Sequence, residues 1–302
     1  MKTLIVLSVL SAPAFAGGLV LDASRLAAED ARALKAQVAA ARRDAPRTFE
    51  LVSTFAQQAD LLDRTKRGGR VAAMGRTFKQ MGPEALWPML ELLALTHGDV
   101  AQTEGGRRSL AVGLLEAVGE LRDERAAPVL RAALDVDVSP LVTRAAAYAY
   151  GDLQTDEVAA TLVALSKGPG ARARAIREGM GSCRRVAVTQ ALGEALASAH
   201  DVREVVELSR TLGDVGNAWA WQTPSVVTRG EEAAVRRLAS VALLESFLSR
   251  GGEEQQAASN ALLVVDATEL PQLIGAARAK ADNRQLAALT TLESRLANHP
   301  GR

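Results

Sequence analysis

RRSLAVGLLEAVGELRDERAAPVLRAAL (107–134) and, from Val142, VTRAAAYAYGDLQTDEVAATLVAL (142–165) decide the fold, because they are one pattern written twice. Aligning Gly119 with Gly151 lays Glu120 on Asp152 and Leu121 on Leu153, and an apolar residue follows eleven positions after each glycine, Leu130 and Leu162. A helix that closes at a glycine, a short charged turn and a second helix make one αα-hairpin. Its recurrence after 32 residues predicts a stack of helical repeats.

Outward towards the N-terminus, RVAAMGRTFKQMG, from Arg70 to Gly82, occupies the place of the first helix of such a unit. Its partner starts near Pro83 and carries Leu86, Met89, Leu90 and Leu93. The polar text from Thr96 to Gly106 reads as a loop. Residues 24–43 predict a helix with Leu26, Leu34 and Val38 near one face; Glu29 and Asp30 lie early and Arg42 and Arg43 late, the order that suits a helix dipole. Pro46 opens another on Phe49, Val52, Phe55, Ala56, Ala59 and Leu62, ended by the basic RTKRGGR of 64–70. Residues 17–69 therefore form an N-terminal helical cap and 70–211 the repeats.

Towards the C-terminus, KGPG (167–170) turns the chain into ARARAIREGMGSCRR, and VAVTQALGEAL follows with Gly193 in the repeat-glycine position. The return helix starts at Asp201, where Asp201 and Glu204 have capping-box spacing. Residues 212–230, LGDVGNAWAWQTPSVVTRG, are the longest non-helical text. The segment 231–302 supplies further helices and a closing cap, with helices over Glu231–Leu248, Glu253–Val265, Thr268–Ala279 and Asn283–Ala297.

Composition agrees with an all-α chain. Of 302 residues 48% are hydrophobic, mostly alanine, leucine and valine, and 3% are aromatic; runs of alternating β-branched residues are absent. The first sixteen residues stand apart. Lys2, the apolar LIVLSVL (4–10), the helix breaker Pro13 and Ala14-Phe15-Ala16 ahead of Gly17 read as a secretory signal peptide (1–16), too short to span a bilayer. The mature protein is expected to be exported, periplasmic or secreted in a Gram-negative bacterium, without stable membrane insertion. Removing Lys2 leaves 35 basic against 35 acidic residues, so no overall charge draws the chain to nucleic acid. The single cysteine, Cys183, excludes an internal disulfide; a buried thiol is favoured over an intermolecular bridge.

The run LLEAVGELRDERAAPVLRAAL (114–134), with AAAYAYGDLQTDEVAATLVAL (145–165) and TQALGEAL (189–196) as weaker copies, resembles the short bacterial HEAT-like repeats of the kind found in phycobilin lyases. The resemblance implies a right-handed α-solenoid in which each hairpin buries its face on its neighbours, with a concave surface made by the second helices.

No catalytic constellation stands out. His97, His200 and His299 lie about a hundred residues apart and match no metal-ligand spacing. Gly168-Pro169-Gly170 lacks the strand and the Gly-Lys-Ser/Thr of a phosphate loop, and Ser182-Cys183 has no histidine partner. Neither a metal nor a cofactor is expected. The resulting expectation is a non-enzymatic interaction protein of the cell envelope, holding a protein or peptide on the concave face. The alternative is a ligand-binding or lyase-like protein using a tryptophan pocket. Two features exceed background. Trp219, Trp221 and Gln222 suit a binding contact, or else fold back over an irregular step between repeats. The basic segment Lys167, Arg172, Arg174, Arg177, Arg184 and Arg185, opposed only by Glu178, suits an anion or acidic partner, or else a solvated face paired with neighbouring acids.

Overall fold

The duplicated stretch folds as two successive hairpins in the computed structural model, which describes residues 17–64, 74–96, 100–101, 103–223, 226 and 228–298. The leader, most of RTKRGGR, His97 and His299 lie outside the described residues. Three helices precede the hairpins: α1 (Ala28–Asp44), α2 (Pro46–Ala56) and α3 (Ala59–Arg64). The hairpins are α4 (Gly75–Lys79) with α5 (Leu86–Ala94), α6 (Glu104–Leu121) with α7 (Ala127–Ala133), and α8 (Pro140–Gly151) with α9 (Asp156–Ser166). Then come α10 (Ala171–Gly179) and α11 (Val186–Ser198), α12 (Val202–Gly216), the one-turn α13 (Ala218–Trp221) and α14 (Glu232–Ser249). The last are α15 (Gly252–Val265), α16 (Leu270–Arg278) and α17 (Asn283–Ala297). Among the described residues there is no strand, and no helix is long and apolar enough to cross a membrane.

The helices stand in two rows. In the first, α4 packs on α6, α6 on α8, α8 on α10, α10 on α12, α12 on α15 and α15 on α17. In the second, α5 meets α7, α9 meets α11, α11 meets α14 and α14 meets α16. One apolar core runs the length of the stack between the rows, and Leu110, Leu114, Leu130, Leu162 and Leu192 in it are fully buried. Each first helix is amphipathic only by halves, since it must meet a helix before it, a helix after it and its own partner. That is why small residues dominate the first row. A Cβ on Gly119 would lie 2.6 Å from Ala149 Cα, so α6 and α8 approach almost backbone to backbone there.

The third unit is where the structure departs from the sequence reading. Gly193 sits in α11, a second-row helix, facing Ala242 of α14. The turn glycine of that unit is Gly181, in the 3-10 turn Met180–Ser182 that follows α10, and the residue eleven positions on is the fully buried Leu192. The next turn glycine is Gly213, so the turns read Gly119-Glu120-Leu121, Gly151-Asp152-Leu153, Gly181-Ser182-Cys183 and Gly213-Asp214-Val215. Cys183 thus occupies the leucine position. It is fully buried, and burial pushes its thiol up to about 12.

Residues 212–216 also differ from the non-helical reading: they are the last turn of α12. Gly213 and Gly216 are kept helical by the neighbouring α15, whose Ala261 and Val265 occupy the space a side chain would need. The cap at Asp201 forms by half. Its carboxylate accepts from Glu204 N (2.9 Å), but the Glu204 side chain turns away to pair with Arg177 of α10. Ser139 holds the N-cap position of α8 without making a side-chain cap bond, leaving Pro140 to start the helix.

Candidate functional site

The four turns form an edge of the first row on which each repeat reaches to the next. Arg122, three residues after Gly119, adopts a left-handed backbone (φ 52°), which aims its guanidinium across the gap to Asp152, 3.7 Å away. Gln154 repeats that backbone (φ 56°) in the second turn. Arg184 stands at the same position in the third, between Asp152 of the turn before and Asp214 of the turn after. Only the first turn carries both an acid one residue and a base three residues after its glycine; the second has Asp152 with Gln154, and the third has Ser182 with Arg184.

Arg184 is the unusual member. Its side chain is buried, at 7% relative exposure. Its Nη1 donates only to Ser182 O (3.2 Å), and its Nε has no partner. Among the described residues no carboxylate stands within ion-pair distance; Tyr148, Asp152 and Asp214 act on it from further away. Burial outweighs those acids and pulls the guanidinium below its usual range. Thr228 Oγ1 donates to Arg184 O (2.9 Å) and ties the segment before α14 to this point.

The surrounding groups are displaced in the matching sense. Burial pushes the Asp152 carboxyl up to about 6, with Arg122 and then Arg184 working against it. Asp214 is raised by the same cause, and Tyr148 goes up to about 12 by burial and the charge of Asp152. Further along the row, burial also raises Glu116 and Glu178. Two grooves lie along the first row, neither of them lined by Arg184 itself. One, of about 420 Å³, lies over α4, α6 and α8 and is lined by Lys79, Glu116, Leu141, Arg144 and Tyr148. The other, of about 270 Å³, lies between α12 and α15 and is lined by Arg210, Asp214, Gln256, Asn260 and Val264. These two recesses lie on first helices; another, of about 610 Å³, lies over the second helices α9 and α11.

Asp152 has a consequence for stability. Its unfolded carboxyl titrates near the ordinary value of about 4, whereas the folded one titrates near 6. A raised carboxylate pKa favours the fold only while the group is protonated. Its contribution is therefore complete below pH about 4 and is lost as pH rises through 6, on the order of 3 kcal/mol at most. Asp152→Asn should flatten that slope and stabilise the protein at neutral pH, as read by urea unfolding across the same interval. An unchanged slope would remove Asp152 as its source.

The other four sequence-predicted arginines have partners. Arg172 donates from Nε to Leu134 O (2.7 Å) and from Nη2 to Asp135 (2.7 Å). Arg174 and Arg177 share Glu204 at 3.6 and 2.7 Å, and Arg177 Nη1 also donates to Ser166 O (2.7 Å). Arg185 pairs with Asp156 and with Glu231, the latter at 2.7 Å. Lys167 closes α9 at the rim of a recess that also includes Glu194 and Glu204. These arginines staple adjacent repeats; Arg184 alone among the five arginines of the segment is buried without such a pair. The sequence contained a signal for this, the three-residue offset from Gly181, but only once Gly181 is taken as the turn glycine.

The tryptophans separate. Asn217 caps α13, its Oδ1 accepting from Trp219 N (3.0 Å), and that turn sends the two indoles opposite ways. Trp221 is buried and its Nε1 donates to Val215 O (3.1 Å), whereas Trp219 is 71% exposed and Gln222 is exposed. Trp221→Ala should cost about 3–5 kcal/mol and Trp219→Ala less than about 0.5 kcal/mol in chemical denaturation. Equal losses would contradict this division.

No family model matches the chain, and no curated protein sequence matches it. Among solved structures it is similar to human deoxyhypusine hydroxylase in complex with glycerol, at 17% sequence identity, covering 84% of this chain and 98% of that one, with a TM-score of 0.33. That neighbour is an enzyme, which runs counter to the expectation of a non-enzymatic interaction scaffold. The expectation is withdrawn, because fold and missing motifs do not exclude chemistry. At this degree of likeness the neighbour's own activity does not transfer to this chain.

Proposed function

We propose that this is an exported protein with a HEAT-like, right-handed stack, and that it binds a small carboxylate- or phosphate-bearing ligand at Arg184. The carrying observation is a buried guanidinium with an unpartnered Nε and, among the described residues, no carboxylate at ion-pair distance. A buried charge left unpaired costs several kcal/mol, so the position favours an arriving anion that completes the guanidinium's bonds. Tyr148 lines one groove and Asp214 another, and both act on the Arg184 guanidinium. An anion at Arg184 also favours the protonated carboxyl of Asp152. Affinity should then rise as pH falls through about 6, the charged groups facing that carboxyl being Arg122, Arg184, Glu120 and Lys79.

The test is thermal unfolding with inorganic phosphate, and separately with succinate, each against chloride at equal ionic strength. A saturable rise in Tm for the wild type, absent in Arg184→Met, supports the reading; phosphate alone or succinate alone tells which anion it is. No rise with either anion, or an equal rise in the variant, overturns it.

A further inference from the structure

The N-terminal helix leaves a gap where it meets the second row. Along α1, Asp30, Ala33, Leu34 and Gln37 are spaced three and four residues apart, so they share one side of the helix and border a recess of about 230 Å³. Trp87 of α5 and Val129 of α7 make the opposite wall, with Arg125 beside them. Leu34 and Val129 are buried, and Ala33, with a single methyl, leaves the space between them open. A cavity of about 150 Å³ already admits benzene, so one aromatic ring with a short arm fits. Two charged groups border the recess, and they differ. Arg125 donates from Nε to Asp123 Oδ1 (2.8 Å) and pairs with Oδ2 through Nη2, while its guanidinium lies 5.0 Å from the Trp87 ring centroid. Its charge is met, and its plane holds the indole in position. Asp30 is part-buried, and among the described residues its carboxylate makes no hydrogen bond or ion pair. The uncompensated charge at this recess is therefore negative.

We propose that this recess binds a small organic ammonium, its apolar body against Trp87, Leu34 and Val129 and its charged end paired with Asp30. Concave apolar walls supply the burial, and the few polar groups at the edge select the ligand. The indole face favours a cationic partner for the same reason that it holds Arg125. An anion of the same shape meets like charge at Asp30 and finds Arg125 already occupied by Asp123. A neutral analogue keeps the apolar contact and forgoes the ion pair. The recess shares no lining residue with the two grooves of the first row, and its ligand has the opposite sign to that at Arg184. Either reading can therefore fail without the other.

The probe is phenethylammonium, compared with phenylethanol and phenylpropionate, which keep the ring and change the polar end. Each is titrated into the full chain while the indole N–H signals of Trp87, Trp219 and Trp221 are followed by NMR, with Trp87→Phe assigning the first. The ammonium should shift the Trp87 signal saturably and bind at least about threefold more tightly than the alcohol. The propionate should bind more weakly than the alcohol. Asp30→Asn should weaken the ammonium about three- to tenfold, to the level of the alcohol, whose own binding it should leave unchanged. Ala33 is an exposed helix position, so Ala33→Leu keeps the helix and fills the recess without touching a charge; it should abolish binding of both. No saturable shift at Trp87, equal or tighter binding of the alcohol or the propionate, or an ammonium affinity that survives Asp30→Asn or Ala33→Leu overturns the proposal.

Discussion

Leu192→Ala should destabilise the protein by about 3 kcal/mol, and Leu130→Ala and Leu162→Ala should do the same. The three leucines are fully buried and each lies eleven residues after a turn glycine, Gly181, Gly119 and Gly151. Each deletes three carbons from a core closed on both sides by neighbouring repeats, where collapse is limited. The decisive companion is a glycine pair. Gly181→Ala should cost about 1–3 kcal/mol, since its Cβ would lie 2.9 Å from Asp214 Cβ. Gly193→Ala, whose Cβ would meet only Ala242 at 3.3 Å, gains helix propensity and should stay within about 1 kcal/mol of neutral. Chemical denaturation with a common m-value reads all five. Were Gly193→Ala the costly one, the third repeat would be in the register that the sequence suggested.

Arg184→Met is the second large effect, with opposite signs in two readouts. The stabilisation by phosphate or succinate should vanish, while the unliganded protein should be as stable as the wild type or more so, by up to about 2 kcal/mol. The sign follows from the competition at the guanidinium. Burial disfavours its charge, Tyr148, Asp152 and Asp214 favour it, and burial dominates. Methionine fills similar space without the charge. The same substitution removes a cation from Asp152, so its carboxyl should move further above 6. A loss of more than about 2 kcal/mol in the variant would mean that the acids already compensate the buried charge, leaving no vacancy for a ligand.

The legible part of this protein is what recurs locally. Gly119 and Gly151, with Glu120/Asp152 and Leu130/Leu162, were enough to place α6 to α9, and Asn283–Ala297 was legible as α17 because its leucines keep one helical face. The third repeat was not legible because its turn carries Ser182 and Cys183 where its neighbours have an acid and a leucine. Gly193-Glu194 imitates the pattern more closely than the true turn does. A decoy of this kind is invisible to periodicity: both helices α10 and α11 are amphipathic, and only their packing, α10 on α8 and α11 on α14, says which row each joins.

The site divides the same way. That Arg172, Arg174, Arg177, Arg184 and Arg185 form a basic segment is evident from residue types alone. Which of them is free of a carboxylate depends on acids far along the chain, such as Glu231 for Arg185, 46 residues away, and Glu204 for Arg177, 27 residues away. By itself the sequence determined an all-helical chain of hairpins, since helical spacing and turn glycines are short-range properties of a polypeptide. Only the tertiary structure decided the register of the third repeat, the burial of Trp221 against the exposure of Trp219, and the isolation of Arg184. Burial and charge pairing belong to whichever distant segment fills the space, and no local pattern specifies it.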